Sequence, residues 1–253
     1  MLQTNSDAVM AQLKASDVVL DIGGWGHPFN RANYVMDQEA YETRGYYNRT
    51  FAKNSPIPPL GGDTEFFTRD TWLQRDICSH EPYPFADKEI DYVICSHTLE
   101  DIRDPLWVCS EMIRIGKRGY IEIPSRIWES CRGFEPGIVG LAHHRWLIDI
   151  GGNEISFTMK FHSIHGHWRR SLPAKFGRRL PHEKTVQWLF WNDSFSFREI
   201  TMHGEAQVTS LEDYVKGVAP YPAWLVLADS KFRQVTHFVG RATRFAKSKL
   251  NGR

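Results

Sequence analysis

Short apolar runs, each stopped by glycine, proline or an acidic residue, alternate with longer mixed stretches through the first half of the chain. Residues 17–22 (DVVLDI) form a β-branched run that ends at Gly23 and Gly24, the pattern of a buried strand entering a tight turn. Residues 34–37 (YVMD), 71–77, 90–96 (IDYVICS) and 119–123 (GYIEI) read as four further strands, and 105–115 as a helix between the last two. Parallel neighbours cannot be joined by tight hairpins, so strands separated by a helix or a long crossover predict a parallel arrangement. The expected fold class is therefore α/β, a Rossmann-like, mainly parallel sheet flanked by helices, with an elaborated C-terminal half.

That half has a different texture. Residues 151–203 are rich in Phe, Trp, His and Arg and read as short strands and loops, whereas 210–216 and 229–249 read as helices. The last of these spaces Phe232, Val235, Phe238, Ala242 and Phe245 helically among lysines and arginines, a pattern that docks on its own domain or contacts an anionic membrane surface peripherally. A soft boundary falls at 132–140, giving a core of 1–135 and a substrate-recognition part of 136–253 within one compact domain.

Composition narrows the function classes. With 253 residues, 42% hydrophobic and 24% charged, the chain is long enough to bury a full core. A net charge of +1 gives no global attraction to nucleic acid, and no nucleic-acid partner is expected. Cys78, Cys95, Cys109 and Cys131 are widely spaced and form no Cys-x-x-Cys pair. The first residues lack the pattern of a signal peptide, and no run approaches the roughly 18 apolar residues of a membrane span, so a cytoplasmic protein is expected.

The candidate chemistry lies at the strand ends, where open α/β sheets bind ligands. Asp21, Gly23, Gly24, Trp25 and Gly26 sit at the end of the first strand. Asp37 ends the second, where a carboxylate can accept from both ribose hydroxyls. Asp76 and Ile77 end the third, pairing a polar contact for an adenine amino group with an apolar one for its ring. Ser96 and His97 close the fourth, beside the reactive end of such a ligand. Gly23-Gly24-Trp25-Gly26 is not a Gly-x-Gly-x-x-Gly fingerprint, which disfavours a nicotinamide cofactor.

Residues 83–105 (YPFADKEIDYVICSHTLEDIRDP) resemble the Pro-Phe-x-Asp, Phe-Asp-x-Val and Ser-His-x-Leu-Glu-His series of class I S-adenosylmethionine-dependent methyltransferases, with Asp101 where the second histidine is usual. The likeness covers about residues 18–125. It implies S-adenosylmethionine as cofactor, with the loop from Asp21 to Gly26 on the methionine portion, Asp37 on the ribose, and Asp76 with Ile77 on the adenine. Trp25 and His27 stand where that family's loop carries glycines, and 26–37 is too short for its customary first helix, a point reinforced by Pro28. The chain resembles the variant whose first helix is reduced to a turn.

The expected reaction is methyl transfer to a small-molecule or glycan acceptor, oxygen favoured over nitrogen because no Asn-Pro-Pro-Tyr or Asp-Pro-Pro-Tyr tetrapeptide follows the fourth strand. A hydroxyl acceptor calls for a base, and His97, His143 and His144 are the candidates. Glu100 and Asp101 either orient His97 or cap the next segment. His162, His165 and His167 match no metal motif, and no metal is expected. The basic run with Arg169, Arg170, Lys175, Arg178, Arg179 and Lys184 offers guanidinium contacts to an anionic acceptor or forms a solvated loop. The rival functions are an aminopropyl transferase on the same fold and a catalytically silent binding protein.

Overall fold

The computed structural model describes residues 1–50 and 56–218. The helix expected at 229–249 lies outside the described residues. Among those described, no helix is long and apolar enough to cross a membrane.

In chain order, helix α1 (Gln3–Gln12) precedes strands β1 (Val19–Ile22) and β2 (Tyr34–Asp37), the short helix α2 (Tyr46–Thr50), and strands β3 (Trp72–Gln74) and β4 (Tyr92–Ser96). Helix α3 (Pro105–Ile115), β5 (Arg118–Pro124), helix α4 (Arg126–Glu129), β6 (Trp146–Gly151) and β7 (Glu154–Met159) follow. The short helices α5 (Ser163–Gly166) and α6 (Ala174–Gly177), strands β8 (Val186–Asn192) and β9 (Ser196–Glu199), and helix α7 (Glu205–Val218) complete the described chain.

The main sheet has six strands in the order β3-β2-β1-β4-β5-β8. The first five are mutually parallel, and β8 runs antiparallel along β5 from Arg118↔Asn192 to Pro124↔Val186. This is the doubly wound order about a central β1, with a reversed last strand. All four residues of β1 are buried, as are six of the seven in β5, which is why both read as mostly apolar runs, each interrupted within the buried part by a single acid. One face of the sheet carries Val19, Val35, Trp72, Tyr92, Ile94 and Tyr120, packed with Val9 of α1 and with Phe29. Asp104 caps α3 by accepting from the Trp107 amide at 3.0 Å, with Pro105 at the first helical position. Neither Glu100 nor Asp101 is that cap.

By internal contacts the chain divides into two units. One comprises residues 1–124, 148–157 and 186–200; the other comprises, among the described residues, 125–147, 158–185 and 201–218. The six-stranded sheet belongs to the first. The second holds apolar clusters around Val139, Leu147, Ile164 and Leu211 and around Cys131 and Leu172, with Val215 and Val218 of α7 against the latter.

Three elements differ from the sequence reading. The third strand stops at Gln74, short of Ile77, because the Asp76 side chain accepts the Cys78 amide at 2.9 Å and folds the chain into a turn. Helix α7 begins at Glu205 rather than 210. The sixth strand of the sheet comes from the aromatic-rich half as β8, an element the alternation of the first half does not announce.

Candidate functional site

No helix joins β1 to β2. Residues 23–33 make turns, and side chains do the work a helix would do. The Asp21 carboxylate, 3% exposed, accepts the Phe29 amide at 2.9 Å. Asp37 Oδ2 accepts the Trp25 amide at 3.1 Å while its Oδ1 accepts the Glu39 amide at 3.0 Å. The Trp25 ring stacks on Tyr46 at 4.7 Å, and its indole N–H donates to Thr43 Oγ1 at 2.9 Å. The Gly45 and Tyr47 amides donate to the Trp25 and Gly26 carbonyls. Trp25 at a glycine position is thus the strut that ties the turn to residues 40–47.

The glycines are needed for close packing within the unit. Gly23 has φ +77°, and a Cβ on it would lie 2.1 Å from Thr98 Oγ1. A Cβ on Gly24 would meet Asp21 Oδ2 at 2.3 Å, and one on Gly26 the Tyr47 ring at 2.8 Å. The glycine turn is clasped by Thr98 after β4 on one side and by Tyr47 on another.

At the tip of β4 the Ser96 hydroxyl is buried with no hydrogen-bond partner among the described residues. His97 follows in a left-handed conformation, φ 53°, its amide donating to the Glu122 carbonyl at 2.8 Å. Its ring lies between two carboxylates, with Nε2 3.2 Å from Glu122 Oε1 and Nδ1 3.5 Å from Glu100 Oε1. Burial pulls the imidazole pKa down, but the two carboxylates outweigh it and raise it above its ordinary 6.5.

Glu122 is the largest polar hub here. It is fully buried on β5, pairs with the Met1 ammonium at 3.3 Å, and accepts from the Leu2 amide at 3.0 Å, Asn5 Nδ2 at 2.9 Å, the Tyr120 hydroxyl and His97. Burial alone would raise its pKa; the His97 hydrogen bond, the Met1 ammonium and the Tyr120 hydroxyl outweigh that and hold it well below the usual carboxylate range. The sequence reading missed it, although a lone acid inside GYIEIP was a visible signal.

Asp76 lies beyond β3, exposed and ion-paired with Arg103 at 2.6 Å, which holds its carboxyl below the usual range. Ile77 beside it is buried, its carbonyl accepting from the Tyr83 hydroxyl at 2.9 Å. The first unit thus carries Asp21, Gly23, Gly24, Trp25, Gly26, Asp37, Asp76, Ile77, Ser96 and His97 at or just past successive strand ends.

His143 and His144 belong to the second unit. The exposed His143 sets its ring edge-on to His144 at 4.5 Å, and His144 Nδ1 is 2.8 Å from Glu129 Oε1. The other Glu129 oxygen pairs with Lys160 Nζ at 2.8 Å; all three side chains are at most 5% exposed. The sequence reading named neither Glu129 nor Lys160. His165 and His167 accept backbone N–H groups of Val139 and Arg169 through Nδ1.

Burial pushes Asp21 up to about 7 from its ordinary 3.8; the Phe29 amide opposes this and the Asp37 charge adds to it. Between those values the folded chain holds a proton that the unfolded chain has lost, so stability falls as pH rises through that window. Asp21→Asn keeps an acceptor for Phe29 and removes the titration. Its stability relative to wild type is expected to improve by on the order of 3 kcal/mol between pH 4 and pH 8 in urea denaturation. A difference that stays constant with pH would exclude this.

The model of the family described as methionine biosynthesis protein MetW matches residues 73–133. A search of curated protein sequences finds no match. Among solved structures, the chain is similar to YcgJ protein from Bacillus subtilis, with 18% identity over 48% of this chain and 51% of that one, TM-score 0.31. It is similar to a SAM-dependent methyltransferase from Aquifex aeolicus, with 14% identity over 48% and 65%, TM-score 0.27. It is also similar to the [4+2]-cyclase SpnF, with 15% identity over 51% and 49%, TM-score 0.33. The chain spans about half the length of the first solved structures it matches. The fold class itself rests on the strand order and register described above.

Proposed function

We propose that the first unit binds S-adenosylmethionine beyond the strand ends and that the chain transfers its methyl group to a small-molecule or glycan acceptor. The observation that carries this reading is the juxtaposition of Asp37 with the glycine turn: a half-buried carboxylate at the tip of β2 holds the Trp25 amide, next to the strand whose neighbour ends in the buried, unpartnered Ser96 hydroxyl. These residues fit the cofactor. Asp37 uses one lone pair on each oxygen for backbone N–H groups, leaving acceptor capacity for ribose hydroxyls. Ile77 offers an apolar edge for adenine and Asp76 an acceptor for its amino group. The turn from Asp21 to Gly26 takes the methionine portion, and Ser96 with His97 borders the reactive end.

Bound there, the cofactor supplies an electrophilic methyl group on sulfur. The chain must orient the acceptor, keep water out and, for a hydroxyl acceptor, take a proton. Among the proposed bases, His97 faces carboxylates through both ring nitrogens and is held toward the charged form, which suits it to positioning. His144 resembles a base in its support: Glu129 accepts from Nδ1–H and fixes the tautomer. His143 is the remaining candidate. Oxygen is the favoured acceptor atom, and the basic segment 169–184 suits an anionic acceptor.

Calorimetry with S-adenosylmethionine and S-adenosylhomocysteine tests the reading. Binding of both is expected, weakened about tenfold or more by Asp37→Asn. Absence of heat at millimolar ligand, by a folded chain, sinks it. An unchanged affinity in the variant removes Asp37 from the ribose.

A further inference from the structure

Arg132, in the second unit, is a half-buried cation with which no carboxylate of the described residues pairs. Its Nε donates to Ser171 Oγ at 2.7 Å and its Nη2 to the His165 carbonyl at 2.9 Å, and both acceptors are neutral. Acids of the same unit are held elsewhere: Glu129 by Lys160 and His144, Glu135 by the Ala142 amide, and Glu212 by Arg170. Burial draws the guanidinium pKa down, and no neighbouring charge opposes it. A cation left in that position is costly unless an anion completes it.

The side chain is fixed before any ligand arrives. The Arg132 amide donates to the Leu172 carbonyl at 2.9 Å, its backbone bridges to Val139, and Ser171, which holds the guanidinium, is fully buried. Of the guanidinium N–H groups, both on Nη1 and one on Nη2 remain after these bonds, enough for a two-pronged grip on an oxyanion. The Val139 amide donates to His165 Nδ1 at 3.1 Å, so the neutral imidazole beside the guanidinium carries its proton on Nε2 and is a further donor.

The surroundings select among oxyanions. Residues 158–185 hold seven lysines and arginines against one acid, Glu183, in a chain whose net charge is only +1. Arg169, Lys175, Arg178, Arg179 and Lys184 in that stretch are exposed, and none forms an ion pair among the described residues. A carboxylate would neutralise Arg132 and stop there. A phosphate monoester is close to doubly charged at neutral pH and keeps oxygens to spare after gripping one guanidinium, so it gains from this field as well.

We infer that Arg132 anchors a phosphate-binding site in the second unit, taking the terminal phosphate of a small molecule through Nη1 and Nη2. For the anionic acceptor of the proposed function this names the charged group, and in that respect it rests on the methyl-transfer reading. The site is tested without S-adenosylmethionine, so the two fail separately.

Inorganic phosphate and acetate are titrated in turn into the full chain at constant ionic strength, with chloride as the balancing anion. The nitrogen–proton NMR resonance of Arg132 Nε and the thermal midpoint report binding. A saturable shift and a raised midpoint are expected with millimolar phosphate, and acetate is expected to bind about tenfold more weakly or worse. Arg132→Gln should weaken phosphate about tenfold or more, whereas the exposed double variant Arg178→Ser with Arg179→Ser should cost about threefold or less. An Arg132 resonance unmoved at about 50 mM phosphate overturns the inference, and this arm needs no variant, so it holds even if Arg132→Gln does not fold. Equal affinity for acetate overturns it as well. Affinity kept in Arg132→Gln but lost in the double variant marks general attraction to the exposed cations and refutes the site. Phosphate binding by a folded chain that does not bind S-adenosylmethionine refutes the cofactor reading and leaves this site standing.

Discussion

Glu122→Ala is expected to destabilise the first unit by about 3–5 kcal/mol, the usual cost of removing one partner from a buried charged network. The partners of this carboxylate come from separate parts of the chain: the Met1 ammonium, the Leu2 amide and Asn5 at the start of the chain, Tyr120 on its own strand, and His97 at the tip of β4. Alanine leaves all of them without their acceptor inside the sheet layer. Urea unfolding should show the loss, with a lower midpoint and, because α1 loses its anchor, early exposure of residues 3–12 in hydrogen exchange. Glu122→Gln retains the shape and one acceptor oxygen, so a smaller loss is expected. The glutamine variant carries a second readout: without one of its two carboxylates, His97 should titrate at lower pH by NMR than in the wild type. A variant as stable as wild type with an unmoved His97 titration would show that the network contributes nothing.

Glu129→Ala should have an effect of similar size, about 3–5 kcal/mol, in the second unit. Lys160 and His144 hold one carboxylate oxygen each, and Lys160 Nζ also donates to the Leu141 carbonyl at 2.8 Å. The backbone is built around the pair: Gly140 has φ +63°, and a Cβ on it would meet Glu129 Oε2 at 2.4 Å and Lys160 Nζ at 2.8 Å. Burial raises the Glu129 pKa, but His144 and Lys160 outweigh it and bring it below its ordinary 4.5. A depressed carboxylate contributes stability above its unfolded pKa and loses it as pH falls through the folded value, so this contribution should be full at neutral pH and fade below about pH 4. The double variant Glu129→Leu with Lys160→Met removes both charges together and is expected to recover most of the loss. A double variant as unstable as Glu129→Ala would mean that packing, and not the orphaned cation, sets the cost.

The parallel strands were legible because burial on both faces leaves almost nothing polar in β1 and β4, and flanking glycine or polar turns mark their ends. Tyr34–Asp37 and Pro105–Ile115 occur as read, the latter fixed by Asp104 and Pro105 at its start. Helix α1 escaped because its buried side chains are Asn5, Ser6 and Val9, which make no apolar stripe. Strand β8 escaped because VQWLFWN lies among loops and pairs at the sheet edge with a strand more than 60 residues earlier. In the candidate site, strand-end residues could be found from spacing alone. Their ties could not: Asp21 and Asp37 bind backbone N–H groups, which leave no mark in side-chain identity, and Glu122 meets partners about 120 residues away. Trp25 looked like a defect in a glycine loop, yet its amide and indole are what the turn is built on.

The missing first helix has an electrostatic consequence. In a usual dinucleotide fold the glycine turn opens into a helix whose amino end presents about half a positive charge and a row of N–H groups to a pyrophosphate. Here the Trp25 and Phe29 amides at that place are spent on Asp37 and Asp21, and no axis of aligned peptides points at the ligand. The turn therefore lacks the positive helix end and the free N–H row that hold a pyrophosphate in such folds.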